Sequence, residues 1–161
     1  MQKYISEFIY GGMDGIITTV AIISGTIGAN LSSKYALILC LSNVFADGFS
    51  MGVSNYNSLI NIKENFNRFK AFYSAFYTFF FFVLLGSIPL FPFLLFDMNN
   101  EVLIKNMLLL FSLIAFSIIG IVKGIYTKKI FMSFMEVVFI GSLAAFISYY
   151  IANFARHKLL V

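Results

Sequence analysis

The chain has 161 residues, of which 60% are hydrophobic and 11% charged, with a formal net charge of +4. That is about half the charge of an average soluble domain, too little polar surface to cover a core, so a soluble globular fold is excluded and an integral membrane protein is indicated. The basic residues are scattered over several connections instead of lining one face, which argues against nucleic acid as a partner.

Stretches of about 20 apolar residues recur at 4–29, 35–60, 71–96, 102–122 and 131–154. They predict one all-α domain over residues 1–161, with five transmembrane helices and short connections. The opening "MQKYISEFIYGGMDG" lacks the basic and short apolar regions of a cleavable signal, so the first span is expected to stay in the mature protein. Asp14 lies at the interface if that helix starts at Gly12, and about 15 Å along it if the start is near Tyr4. Asp14, Thr18, Ala21, Gly25 and Gly28 recur at intervals of four, three, four and three. Apart from the acid these residues are small and allow close helix approach, so this stripe is expected to face the polar stripe of the second span or a copy in another subunit.

The second span contains "NVFADGFSMGVSNY", residues 43–56. Asn43, Asp47, Ser50, Ser54, Asn57 and Asn61 follow at four, three, four, three and four, one continuous helix face, with Met51 at its edge. A carboxylate at a helix centre costs about 2.5–3.5 kcal/mol on insertion scales, so Asp47 needs a reason to be there. The single Cys40 excludes an internal disulfide and reads as a small apolar helix residue. In the third span Pro89 and Pro92 of "SIPLFPF" each remove a backbone donor and should kink or end the helix; "DMNNE", residues 97–101, is then a polar turn. In the fifth span Glu136 lies near the inner end, where it joins the polar path or snorkels. The only histidine, His157, is placed in a solvated tail, which counts against a typical zinc site.

Basic residues orient the spans. With the N-terminus inside, the inner side holds Lys3, Lys63, Arg68, Lys70, Lys123, Lys128 and Lys129, and the outer side holds Lys34, Lys105, Arg156 and Lys158. Seven against four favours a cytosolic N-terminus and a C-terminus on the opposite side. As donors, carboxylate and amide oxygens suit hard cations, whereas the Met51 thioether adds a soft donor. The mixture points to a first-row divalent ion such as Fe(II) or Mn(II), although methionine on a helix also serves as packing.

"GGMDGIITTVAIISGTIGA" followed by "ADGFSMGVSNYNS" resembles the vacuolar iron transporter family, with its DG-x-x-T-x-x-A pattern in the first helix and SMG-x-x-x-Y in the second. "LLGSIPLFPFLL", "IVKGIYTKK" and "IGSLAAFISYYIA" resemble the later helices, so the likeness runs over nearly the whole chain. It implies a five-helix protomer, a homodimer with the ion path between the first two helices of both subunits, and proton-coupled export of Fe(II) or Mn(II) from the cytosol. The family's first-helix acid falls on Asp14 and its second-helix methionine on Met51. Its second-helix glutamate falls on Asn43, a departure, and Asp47 one turn further along the same face is the candidate replacement. A second departure is the short basic "NIKENFNRFK" where many members carry an acidic metal-binding domain; Glu64 alone cannot stand in for it.

The expected metal ligands are therefore Asp14, Asn43, Asp47 and Met51, with Thr18, Ser50, Ser54, Asn55 and Glu136 along the path. No resident cofactor is expected: the metal is cargo and the proton is the coupling ion. The expected partners are the lipid bilayer, divalent metal ions and a second copy bound through the first two helices, in a cell membrane if prokaryotic or a vacuolar or similar organelle membrane if eukaryotic. A proton-coupled exporter of organic cations and a non-transporting membrane assembly protein are the alternatives. With no histidine or cysteine near the acids, an enzyme is not expected.

Overall fold

The computed structural model describes residues 4–62, 67–96 and 99–159. Lys3, expected at the inner side before the first span, and Lys63, Glu64, Asp97 and Met98, expected in connections, lie outside the described residues. The chain forms α1 (Ile5–Gly28), α2 (Ser33–Ile62), α3 (Arg68–Gly86), a short α4 (Pro92–Leu95), α5 (Glu101–Thr127) and α6 (Ile130–Leu159). Five of these helices are long and apolar enough to cross a membrane, and the described residues contain no strand. The chain is thus an all-α integral membrane protein.

Local chemistry sets the helix boundaries. The Asn67 side chain accepts hydrogen bonds from the Phe69 and Lys70 amides at 2.9 and 3.4 Å and starts α3; the Asn100 side chain accepts one from Leu103 at 3.1 Å and starts α5. At "SIPLFPF" α3 stops at Gly86, and a single 3-10 turn over Ile88–Leu90 leads into α4. Pro89 and Pro92 are buried, and the Ser87 hydroxyl donates to the Val83 carbonyl at 2.6 Å near the break.

The polar turn expected at 97–101 is more than a connection. Glu101 accepts hydrogen bonds from the Ser33 amide at 3.3 Å and the Ser33 hydroxyl at 3.1 Å, and it pairs with Lys105 at 3.4 Å. A carboxylate from α5 therefore satisfies the N-terminus of α2, where negative charge is favoured. Lys123, expected in the connection after the fourth span, belongs instead to α5, which runs on to Thr127. His157 is likewise not in a tail: it sits beside Arg156 and Lys158 in the last turn of α6, where cations suit the helix end.

Helix α1 is the central element, packed mainly against α3 and α6 and also against α2 and α5. One apolar cluster joins Ile16 and Val20 to Leu85, Phe116, Ile119 and Val137; a second joins Ile23 to Ala36, Cys40, Leu90, Phe93, Ile104 and Leu108. The proline-broken segment therefore packs inward through Leu90 and Phe93. Glycines bring the backbones together. A Cβ on Gly15 would collide with the Phe82 carbonyl, and one on Gly11 would lie 2.5 Å from the Thr78 carbonyl oxygen, so α1 and α3 touch main chain to main chain.

This geometry corrects one expectation. The later part of the small stripe on α1 does not face α2: Gly28 packs on the Tyr149 backbone of α6, Gly25 lies against the Ser148 side chain, and the Ser148 hydroxyl donates to the Ala21 carbonyl at 2.6 Å. The stripe's regular spacing marks where a backbone can approach, but it carries no information about which helix does so.

The two kinds of glycine contact should respond differently to an added methyl group. Gly15→Ala meets a fixed carbonyl and is expected to cost about 1–3 kcal/mol. Gly25→Ala meets a serine side chain that can rotate, and should cost less. Thermal unfolding of the purified variants in detergent checks the order; equal losses would contradict it.

Candidate metal site

Because α1 starts at Ile5, Asp14 lies about 14 Å along that helix at 1.5 Å per residue, well inside the span. Asp47 lies about 21 Å from the start of α2 by the same measure. The two helices run antiparallel, which brings these acids together. A polar groove of about 250 Å³ is lined by Tyr10, Asp14, Asp47, Ser50, Met51 and Ser54. A neighbouring groove of about 490 Å³, lined by Ser6, Ile9, Tyr10, Met13, Asp14, Ile17 and Met51, extends it along α1 toward the N-terminus. Both Asp14 and Asp47 are exposed on this face of the protomer and line the same groove.

Asn43 does not line either groove, but its side-chain amide donates to Asp47 Oδ2 at 2.7 Å. The Asn43 amide therefore orients the acid one turn away. Thr18 is half-buried on α1 outside both grooves. Asn55 lines neither groove, and its amide donates to Ser74 Oγ at 3.0 Å and Thr78 Oγ1 at 2.7 Å, tying α2 to α3. Glu136, on α6, is ion-paired with Lys123 on α5 at 2.8 Å and lines neither groove.

Two further residues belong to this region: Tyr10, which borders the grooves, and Glu7, which lines neither but ties α1 to α3. Glu7, one turn before Tyr10, accepts hydrogen bonds from Ser6 at 2.7 Å and Ser74 at 2.5 Å. Their signal in the sequence is the spacing: Glu7, Tyr10 and Asp14 are separated by three and four, one face of a helix. Glu7 closes a chain of polar contacts, Asn55 to Ser74 to Glu7, that joins α2, α3 and α1.

Chemically the groove offers two carboxylates, two serine hydroxyls and one thioether. That donor set mixes hard and soft ligands. Among the described residues no group of three or more histidine, cysteine, aspartate or glutamate side chains is gathered for a metal ion. One protomer thus presents these donor groups in an open groove on its surface.

The sequence profile of the VIT family matches residues 5–68 and 60–153, most of the chain and all of the groove. The chain belongs to the VIT family. It is similar to proteins named vacuolar iron transporter from Toxoplasma gondii (strain ATCC 50861 / VEG), 44% identical over 63 residues, and Plasmodium berghei (strain Anka), 42% identical over 57 residues. A third, from Plasmodium falciparum (isolate 3D7), is 43% identical over 54 residues. These matches cover 39%, 35% and 34% of this chain and 21%, 21% and 20% of the respective relatives, so the chain spans about a fifth of the length of the curated relatives it matches.

The geometry separates site residues from scaffold. Asn55→Ala removes two part-buried hydrogen bonds and should destabilise the protein by about 1–3 kcal/mol, read as a lower unfolding temperature. Glu136→Gln breaks the pair with Lys123 yet should leave divalent-metal affinity unchanged in isothermal titration. Weakened metal binding in the Glu136 variant would return that residue to the path.

Proposed function

We propose that this protein carries Fe(II), Mn(II) or both out of the cytosol in exchange for protons, as a homodimer joined through α1 and α2. The observation that carries the reading is the convergence of Asp14, Asp47 and Met51 on one groove midway along two membrane-spanning helices. Membership of the VIT family and similarity to proteins named vacuolar iron transporter support it.

In the proposed cycle the two acids bind protons when no metal is present. A divalent ion arriving from the cytosol displaces them and is held by the carboxylates, with Met51 and Ser50 completing the shell. Asn43 holds Asp47 in position through its amide. The ion leaves on the far side, and protons from that side reload the acids. A cytosolic N-terminus, favoured by the seven-to-four distribution of basic residues, sets the direction. With only the short basic stretch before α3, capture rests on the groove itself.

A second copy facing the groove would supply a further pair of carboxylates and a second thioether, giving the complete ligand set that one protomer lacks. An organic-cation exporter is the reading to separate from this one, because Tyr10 places an aromatic ring beside Asp14. Proteoliposomes with an imposed proton gradient provide the test. Fe(II) or Mn(II) uptake should occur and should fall about tenfold or more in Asp47→Asn, the equivalent of ~1.4 kcal/mol. Undiminished uptake by that variant, or transport of a lipophilic cation in place of the metal, would contradict the proposal.

A further inference from the structure

On the side of α2 turned away from the acids lies a second groove, of about 280 Å³, between α2 and α3. Its lining is apolar: Gly52 and Ala75 contribute no bulk, while Phe49, Tyr56, Phe72 and Phe76 stand around them. At 3.6 residues per turn, positions 49, 52, 53 and 56 are centred about 140° round the helix from 43, 47, 50 and 54. A second copy covering the acids would therefore leave this groove facing lipid.

What distinguishes the groove from an ordinary lipid-facing surface is its charged end. Arg68, Phe72, Phe76 and Phe79 follow at intervals of four, four and three, a single face of α3. Arg68 is the first residue of the helix, exposed, one turn before the groove, and it makes no ion pair with any described residue. Lys70, also exposed, lies about half a turn away on the other side of the same helix. The aromatic slot thus runs toward one cation at the level where a helix leaves the membrane.

We propose that this groove binds an anionic phospholipid from the leaflet on the side of the α2–α3 connection, its acyl chain in the slot and its headgroup phosphate on Arg68. Charge complementarity selects the occupant: a zwitterionic lipid can fill the slot equally well but gains less from the guanidinium. The site is independent of the metal groove and stands or falls separately from the transport reading.

The experiment is native mass spectrometry of the purified full chain after incubation with phosphatidylglycerol or phosphatidylcholine of matched acyl chains. The wild-type chain should retain phosphatidylglycerol about fivefold over phosphatidylcholine. Arg68→Gln should abolish the preference, Lys70→Gln should keep it, and Val53→Trp, which fills the slot from α2, should lower retention of both lipids. Equal retention by the wild type, or a preference surviving in Arg68→Gln, would overturn the proposal. Val53→Trp that leaves lipid retention intact but dissociates a dimer would also overturn it, by showing a second copy in the groove.

Discussion

Two carboxylates midway along membrane-spanning helices form the constraint on which the rest of this molecule depends. On insertion scales each costs about 2.5–3.5 kcal/mol at a helix centre. The pair, at about 5–7 kcal/mol, is therefore as large as the lower part of the ~5–15 kcal/mol that separates a folded domain from its unfolded chain. Burying Asp14 and Asp47 inside the protomer would be one solution. This chain does not adopt it: both acids are exposed in a groove on one side. Left against hydrocarbon that face would be unstable, so the arrangement is intelligible only if protein, water or ions cover it.

The scaffold is built to hold that face in place. Main-chain contacts at Gly11 and Gly15 lock α1 onto α3, and Gly28 does the same against α6. Helix α2 is positioned by α3 more than by α1: Gly52 approaches the Ala75 carbonyl, and Asn55 reaches Ser74 and Thr78. Because α2 leans on α3, the α1–α2 seam is free to open into a groove instead of closing as a packed interface. Within the seam, the Asn43 amide fixes Asp47, so an uncharged side chain shapes the carboxylate one turn away.

Much of this was legible in the sequence. Apolar length indicated five spans, and intervals of three and four put Asn43, Asp47, Ser50, Met51 and Ser54 on or at the edge of one helix face. Both signals are local and periodic. What the sequence did not reveal depends on partners far away in the chain. Gly25 and Gly28 read as an approach surface for α2 or a second copy but meet α6; Glu101 read as a turn residue but caps Ser33, 68 positions earlier. Glu136 and Lys123 read as separate charges until the α5–α6 hairpin brought them together. Asn55 belongs to the same motif as Met51, yet its amide turns to α3 for hydrogen bonds.

In the proposed homodimer the acid-bearing face of one protomer meets the same face of another. Cys40 is the only cysteine, so its replacement leaves a background in which a single new thiol can be read. In Cys40→Ala, Ser54→Cys should be joined into a covalent dimer in the membrane by a short thiol-specific cross-linker, whereas a cysteine at exposed Phe139 on α6 should not. A monomeric Ser54→Cys variant beside a cross-linked Phe139→Cys variant would place the contact on another face and leave the acids to be covered in some other way.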